Sequence, residues 1–174
     1  PVGSPRSAGL TAFSSDPTES VSRKMGVIFG QIHTLSAAWS KTKKGRLIDR
    51  EAAVVSSFPY LEKLAAHRPD DIAYYREVAD AVAAGYRATK EADEVPSGAI
   101  HGDFHIHNAF VRTGDDVTIM DFDACGLDYF VQELMSYRWS IEKNDLPMKL
   151  WDIFLEGYET VRPLSDVERR HIPL

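Results

Sequence analysis

The sequence predicts a mixed α and β fold that is mostly helical, with one small β-hairpin in the middle. Before residue 91 and after residue 128, apolar residues recur at the three- and four-residue steps of an amphipathic helix. Between these regions the pattern changes to short apolar runs on either side of a turn-forming Thr-Gly-Asp-Asp segment, which is typical of a hairpin. The 174 residues are enough for one domain with a hydrophobic core.

The first helix is predicted to follow an irregular N-terminal segment. Residues 1–17 are rich in Ser, Pro and Gly, which indicates a linker or mobile arm before a single domain at 18–174. Asp16-Pro17-Thr18-Glu19 is a typical helix start, with Asp as the N-cap and Pro at the first helical position. The helix is expected to end near Ala38 and to bury a stripe of apolar residues: Val21, Met25, Ile28, Phe29, Ile32 and Leu35.

Further helices are predicted on both sides of the hairpin. A basic connector over 41–46 precedes a helix that Pro59 is expected to break or restart, because proline lacks the N–H group that helical hydrogen bonding uses. The next helix is predicted to begin after an N-cap at Asp70. The predicted ranges are 47–66, 70–90, 128–143, 147–158 and a last helix that opens at Ser165.

Two short strands, preceded by a short apolar segment, are predicted in the central region. Ala99-Ile100 is a short apolar entry, and the two strands of the hairpin are 109–111 and 117–120. Thr113 to Asp116 has the composition of the connecting turn.

Composition narrows the class of protein. The net charge of −6 argues against nucleic-acid binding, which requires clustered Lys and Arg. No apolar run approaches the roughly 20 residues of a membrane span, and the N-terminus has no signal-peptide pattern. The single cysteine, Cys125, is expected to be a small buried residue in a reducing compartment. A cytoplasmic protein without nucleic-acid or membrane partners is therefore expected.

The loop and hairpin in the middle of the chain carry residues with a clear chemical meaning. Asp103 stands five positions before Asn108, and Asp121 follows Asn108 by thirteen positions. The adjacent strands of the hairpin are expected to bring Asn108 and Asp121 close together. A carboxylate that accepts a proton, with an amide oxygen and a carboxylate that hold Mg²⁺, is what phosphoryl transfer from ATP requires.

Neighbouring residues have more than one interpretation. Asp123 either contacts the metal or substrate, or caps the helix that follows. His105 could contact a phosphate when it is protonated. His101 is expected to hold the loop backbone rather than to react, and His107 is the weakest candidate of the three histidines.

The same segment supports a second hypothesis, a metal-dependent hydrolase. His101, Asp103, His105 and His107 have the density of a zinc site. However, histidines at every second position of an extended segment share one face, whereas a metal needs ligands that converge from several directions. The hydrolase hypothesis also leaves Asn108 and the Asp-Phe-Asp segment without a role.

At these residues the chain resembles the aminoglycoside phosphotransferase, choline kinase and homoserine kinase superfamily. The segment 101–108, His-Gly-Asp-Phe-His-Ile-His-Asn, resembles its catalytic loop, and 120–123, Met-Asp-Phe-Asp, resembles its metal-binding segment. The resemblance implies a protein-kinase-like fold and transfer of phosphate from ATP to a small-molecule hydroxyl such as that of an aminoglycoside, choline or homoserine. It implies that Asp103 is the catalytic base, with His105 at the phosphate, and that Asn108 and Asp121 bind Mg²⁺-ATP; Asp123 stays a candidate metal ligand.

Two departures from the family pattern shape the expectations. Glu133-Leu134 stands where the family usually has Asp-Leu. Whether the longer Glu side chain supports the catalytic loop as the Asp does is therefore an open question. The sequence also contains no G-x-G-x-x-G loop and no Lys in a Val-Ala-Ile-Lys-like strand. The chain is therefore expected to be a C-terminal lobe without its N-terminal lobe, and inactive by itself. A catalytically inactive kinase-like binding domain remains the alternative, and a homodimer stays open.

Overall fold

The structure, a computed structural model, describes residues 11–13, 17–40, 48–112 and 116–172. The chain forms two compact units, one made of residues 1–46 and 96–174 and the other of residues 47–95. The helices, in chain order, are α1 (Glu19–Ser40), α2 (Arg50–Leu64), α3 (Pro69–Ala92), α4 (Phe130–Lys143), α5 (Lys149–Glu159) and α6 (Asp166–Arg170). The strands are β1 (Thr11–Ala12), β2 (Ser97–Ile100), β3 (Ala109–Arg112), β4 (Asp116–Ile119) and β5 (Gly126–Tyr129). The prediction of a mostly helical α and β fold is confirmed.

The strands form two small antiparallel sheets in the first unit. One sheet has the order β1-β3-β4, and its β3–β4 pair is the predicted hairpin, with Ala109 opposite Ile119. The other sheet pairs β2 with β5, with Gly98 opposite Asp128. The prediction of a helix from Asp128 is wrong, because pairing with β2 satisfies the backbone groups of residues 126–129 and delays the helix to Phe130.

The N-terminal segment contributes to the first unit. Thr11 and Ala12 pair with Val111 and Phe110, and the side chain of Phe13 is fully buried. The prediction of a linker or mobile arm is therefore wrong for residues 11–13, since these residues share the hydrogen bonds and the core of the fold. Residues 1–10 and 14–16, including the predicted cap Asp16, lie outside the described residues, as do the basic connector 41–46 and the first three turn residues 113–115.

Close packing of α1 on α5 builds the core of the first unit. A Cβ on Gly26 would lie 1.9 Å from the carbonyl oxygen of Phe154, and a Cβ on Gly157 would lie 2.2 Å from that of Arg23. These glycines therefore let the two helix backbones touch. Beside this contact the core is aromatic, and it consists mainly of Phe29, Phe104, Phe130, Tyr137, Phe154 and Tyr158.

The buried face of α1 differs from the predicted one at its C-terminal end. Leu35 is 72% exposed, whereas His33 and Ser36 are buried. Both buried residues form hydrogen bonds: Ser36 donates to the carbonyl oxygen of Ala99 at 2.8 Å, and His33 bonds to Tyr158 and Glu133. The neighbouring elements therefore present polar partners to this face of α1.

The second unit is a pair of helices, α2 and α3. The prediction that Pro59 breaks or restarts its helix is wrong, because α2 runs through Pro59 without interruption. Pro59 and Val55 are both exposed, so the carbonyl that loses its helical partner can be hydrated. Helix α3 begins with Pro69 at its first position and Arg68 as the N-cap, so Asp70 lies in the first turn rather than at the cap.

Between α2 and α3 lies an apolar groove of about 530 Å³. Its wall includes Phe58, Leu61, Tyr75 and Val78, none of which is a predicted site residue. Within the described parts of the chain, no helix combines the length and apolar character needed to cross a membrane.

Candidate active site

Asp103 lies in the loop between β2 and β3, and buried neighbours fix its position. Its side chain is 59% exposed, whereas Phe104 and Ile106, which follow it, are almost fully buried. The ring of Phe104 packs on that of Phe29 with 3.9 Å between their centroids. The loop thus presents one carboxylate to solvent from a backbone that is anchored in the core.

Asn108 connects this loop to the segment that carries Asp121. Its side-chain nitrogen donates a hydrogen bond to the carbonyl oxygen of Asp103 at 3.0 Å, which leaves the amide oxygen as the donor atom for a cation. Its own carbonyl oxygen accepts a hydrogen bond from the N–H of Met120 at 2.9 Å. The hairpin therefore brings the backbone of Asn108 beside the residue that precedes Asp121.

Asp121 has a left-handed backbone, with φ at 66° and ψ at 60°. This conformation is uncommon for residues other than glycine, and such strain is typical of functional sites. The exposed Asp121 precedes a short 3₁₀ helix, Phe122–Ala124. Asp123 is also exposed and does not cap α4, whose N-cap residue is Tyr129.

His101 holds the two segments together, as the sequence predicts. Its Nε2 donates to the carbonyl oxygen of Met120 at 2.7 Å, and its Nδ1 accepts from the N–H of Asp103 at 3.4 Å. The ring also lies against Phe122, with 4.4 Å between the centroids. One buried imidazole thus contacts the backbone on both sides of the site.

His105 lies at the edge of this group. Its Nδ1 accepts a hydrogen bond from the N–H of His107 at 3.3 Å, so the proton of a neutral ring is on Nε2. That Nε2 lies 3.8 Å from the Oδ2 atom of Asp103. His107 is exposed and contacts the ring of His105 edge to face.

Glu133 braces the loop directly before Asp103. Its Oε1 accepts a hydrogen bond from the N–H of Gly102 at 2.8 Å. Gly102 has a φ of 87°, and a Cβ there would lie 2.3 Å from the carbonyl oxygen of Ala124. The question of bracing that the sequence left open is thereby answered, because the longer Glu133 side chain reaches the loop.

The donor set fits a hard cation better than zinc. In the described ranges of the chain, no three His, Cys, Asp or Glu residues are grouped to hold a metal ion, whereas zinc sites use three or four converging protein ligands. A Mg²⁺ ion that is shared with phosphates needs only one or two carboxylates. The amide oxygen of Asn108 and the carboxylates of Asp121 and Asp123 have the chemistry for that role.

Cys125 is exposed, so the prediction of a buried cysteine is wrong. The residue follows the 3₁₀ helix, and its N–H bonds to the carbonyl oxygen of Phe122 at 3.0 Å.

A comparison with known proteins matches this arrangement to a family. The model of the phosphotransferase enzyme family matches residues 3–170. The chain belongs to this phosphotransferase family. The membership confirms the resemblance that the segments at 101–108 and 120–123 predicted.

Individual known proteins resemble this chain in sequence or in fold. A homoserine kinase of Polaromonas naphthalenivorans is 31% identical over 107 residues, which are 59% of this chain and 31% of the relative. A choline/ethanolamine kinase family protein from Mesorhizobium loti shares the fold with a TM-score of 0.60 at 19% identity, over 95% of this chain and 53% of that one. An amicoumacin kinase gives a TM-score of 0.55 at 15% identity, over 93% and 49% of the two chains. The chain thus spans about a third to about a half of the length of these proteins, and its kinase-like fold is confirmed.

The structure also reveals polar residues near the loop that the predicted site did not include. His33, Tyr158 and Arg162 form hydrogen bonds behind Glu133, at the side of the loop that faces the core. A signal for His33 exists in the sequence, since it follows Phe29 by four positions and so shares the buried face of α1.

Proposed function

We propose that this chain is the C-terminal lobe of an ATP- and Mg²⁺-dependent phosphotransferase that acts on a small-molecule hydroxyl. The observation that carries the proposal is the connection of three polar residues through one loop and one hairpin. Asp103 faces solvent, Asn108 bonds to the Asp103 carbonyl, and the Asn108 carbonyl bonds to the residue before Asp121. We also place the protein in the cytoplasm, where ATP is available.

Asp103 is proposed as the group that receives, or orients, the proton of the acceptor hydroxyl. Its exposed carboxylate can approach a bound substrate, and its backbone is fixed by Asn108 and His101. His105 is proposed to assist at the same place, because its Nε2 faces the Asp103 carboxylate at 3.8 Å and could donate to a phosphate oxygen.

Asn108 and Asp121 are proposed to hold Mg²⁺ with ATP, and Asp123 is a further ligand candidate. A bound Mg²⁺ would supply positive charge beside the phosphate oxygens. The left-handed backbone of Asp121 and the hydrogen bond of the Asn108 amide nitrogen orient the two side chains before any ligand arrives. Such preorganisation lowers the cost of binding.

Two relatives suggest what the donor and the first acceptor to test should be. The amicoumacin kinase was solved in complex with AMP-PNP, an analogue of ATP, and Ca²⁺. The Polaromonas relative is named a homoserine kinase. Because both names describe other proteins, ATP and homoserine are starting points for the experiment rather than assignments.

The test is an acceptor screen with the full-length protein, Mg²⁺ and ATP. Homoserine, choline, ethanolamine and aminoglycosides are the acceptors, and Asp103→Ala is the variant that should lose turnover. Titration calorimetry of Mg²⁺-ATP is done in parallel. Binding without turnover on any acceptor would favour the inactive binding domain, and stoichiometric zinc in a metal analysis would favour the hydrolase.

The same assay with residues 1–174 alone tests the proposal of a single lobe. We expect negligible turnover, because the sequence lacks the glycine-rich loop and strand lysine that hold ATP phosphates in kinases. Robust ATP turnover by this chain would contradict the proposal.

A further inference from the structure

An apolar stripe runs along one side of the helix pair in the second unit. On α3, Tyr75, Val78 and Val82 follow one another at three- and four-residue steps, which places their side chains on one face of the helix. All three line the groove between α2 and α3, and each is at least 40% exposed. On α2, exposed Leu64 follows Leu61 of the groove wall by three positions. In the described ranges, this side of the helix pair is therefore apolar and open to solvent.

The groove has the length and shape of a site for a helix. Its volume is about 530 Å³, and its wall on α2 extends from Arg50 to Leu61. At the rise of an α-helix this length is roughly 17 Å, or about three turns. An amphipathic helix laid in such a groove covers the groove and the flanking stripe together, because its apolar residues recur at the same steps. A small molecule in the groove would leave the stripe exposed.

The charge of the helix pair is unbalanced. Residues 47–95 contain ten Asp and Glu residues and six Lys and Arg residues, which gives a net charge of −4. Three arginines form ion pairs within the unit: Arg76 with Glu62, Arg87 with Glu51, and Arg68 with Asp71. Outside these three pairs, the unit has seven acidic side chains and three basic ones. Charge complementarity therefore favours a basic partner.

Two of the acidic residues lie along the edge of the apolar stripe on α3. Asp70 and Glu77 are seven positions apart, so they share one side of the helix, and Glu77 is adjacent to Val78 in the sequence. Both acidic side chains are exposed. Tyr74, which lies between them in the sequence, is 63% exposed. A basic side chain on a helix that occupies the groove can therefore pair with a carboxylate at this edge.

The same charges count against other occupants of the groove. Helices that bind membrane surfaces combine an apolar face with Lys and Arg, and nucleic-acid binding also requires basic residues, so a unit with a net charge of −4 suits neither. A second copy of the chain would bring another charge of −4 to the same face, and like charges oppose association.

We propose that the groove between α2 and α3 is a docking site for an amphipathic helix of a separate, basic partner protein. The apolar side chains of that helix fill the groove, and its Lys or Arg side chains pair with Asp70 and Glu77. The proposal does not depend on the proposed function, because it involves no residue of the catalytic loop.

The probe is a fluorescent peptide of leucine and lysine, roughly five helical turns long, with leucines at the i, i+3, i+4 and i+7 positions. One control peptide keeps the leucines and has Glu in place of each Lys, and another has the same composition in an order without an apolar face. Binding to the full-length protein is measured by fluorescence anisotropy at low and high salt, and hydrogen exchange shows where the peptide binds. We expect saturable binding of the Lys peptide alone, with slower exchange in α2 and α3.

One pair of variants tests the groove. Val78→Asn places an amide in the groove wall, and Val55→Asn is the matched control, because Val55 is exposed on the same helix pair but does not line the groove. We expect Val78→Asn to raise the Kd of the Lys peptide roughly 10-fold, since the buried amide has no hydrogen-bonding partner. Val55→Asn should leave the Kd unchanged.

A second pair of variants tests the acidic edge. The double variant Asp70→Asn/Glu77→Gln removes two charges beside the stripe, and Asp145→Asn/Asp152→Asn removes two exposed charges in the first unit. We expect the first to raise the Kd about 3- to 10-fold at low salt and to reduce its salt dependence, because exposed charges are screened by salt. The second should change neither.

Every outcome bears on the proposal. The same Kd for wild-type protein and Val78→Asn would overturn it, as would equal binding of the Glu control peptide. Absence of binding also overturns it: slow exchange of α3 amides in the free monomer would then assign the groove to another segment of the same protein, and a dimer that Val78→Asn dissociates would assign it to a second copy. The substituted side chains are exposed, so the variants should keep the fold. A failed acceptor screen would leave these measurements unaffected.

Discussion

The catalytic loop of the first unit and the helix pair of the second differ in how their side chains are held. In the loop, exposed Asp103 is followed by buried Phe104. The loop backbone accepts a hydrogen bond from Asn108 at the Asp103 carbonyl and donates two, from the N–H of Asp103 to His101 and from the N–H of Gly102 to Glu133. In the helix pair, α2 has no buried residue and α3 has only Ala83, while Tyr60 and Leu64 are 72% and 78% exposed. Long-range contacts therefore place the loop, and local interactions dominate in the helix pair.

The helix pair is held at its surface by a helix cap and by exposed ion pairs. Asp49 caps α2 by accepting from the N–H of Ala52 at 2.8 Å, and the ion pair between Arg87 and Glu51 joins α3 to α2 with 2.6 Å between the charged atoms. Exposed ion pairs of this kind contribute little to stability. Each prediction below makes the same type of substitution in both regions. The change in kcat or in the free energy of unfolding can then be compared between the catalytic loop and the helix pair.

The largest contrast is expected for one carboxylate in each region. Asp103→Asn keeps the shape of the side chain but removes its ability to accept a proton, and we expect kcat to fall by about 10²- to 10⁴-fold. Asp70→Asn, at the exposed start of α3, should leave kcat unchanged. Steady-state kinetics of both full-length variants with the acceptor found in the screen is the measurement, and equal activities would rule out a catalytic task for Asp103.

A smaller contrast is expected for one aromatic ring in each region. Phe29 is fully buried against Phe104, so Phe29→Ala should lower the free energy of unfolding by about 3–5 kcal/mol. Tyr60 on α2 is exposed, so Tyr60→Ala should change it by no more than about 0.5 kcal/mol. Urea unfolding of the two variants checks this. A large loss for Tyr60→Ala would show that a further surface covers α2.

Substitution by alanine should lower the stability of the protein at one glycine and raise it at another. Gly102→Ala places a methyl group against the Ala124 carbonyl at a φ of 87°, which should destabilise the protein by about 1–3 kcal/mol and lower kcat. Gly85 in α3 has nothing within 4 Å of an added Cβ, so Gly85→Ala should stabilise the helix by about 0.5–1 kcal/mol. Thermal unfolding with kinetics tests both, and an unchanged Gly102→Ala protein would contradict the strain argument.

The smallest contrast is expected at helix caps, where both regions use local hydrogen bonds. Asp49→Ala on α2 and Ser165→Ala on α6 each remove a cap, and each should cost about 1 kcal/mol. Similar losses in the unfolding free energy would show that local terms are alike in the two units. A much larger loss for Ser165→Ala than for Asp49→Ala would contradict this expectation.

Much of the fold could be predicted because it depends on local patterns. The hairpin follows from its short apolar runs, and the predicted ranges of α4 and α5 differ from the observed ones by two residues or fewer at each end. Strand β5 was not predicted because its four residues pair with β2, which lies well before it in the sequence. No local sequence pattern indicates such a distant partner. Pro59 was misjudged because its exposure, which lets the helix continue, depends on the surroundings of α2.

The same division applies to the site. The residue types and spacings of Asp103, Asn108 and Asp121 were visible in the sequence, and their catalytic and metal-binding roles stay predictions until turnover is measured. The backbone strain at Asp121 and the bond from Glu133 to Gly102 could not be predicted, because they arise where separate segments meet.

The sequence by itself therefore determined most of the helices, the hairpin, and the family to which the chain belongs, since these depend on residue types at fixed spacing. The tertiary structure decided which polar groups are buried and what they hold. It placed Leu35 at the surface and His33 in the core, although hydrophobicity favours the reverse. The physical reason is that burying a polar group requires a hydrogen-bonding partner, and the partners of His33 lie 100 and 125 positions away in the chain.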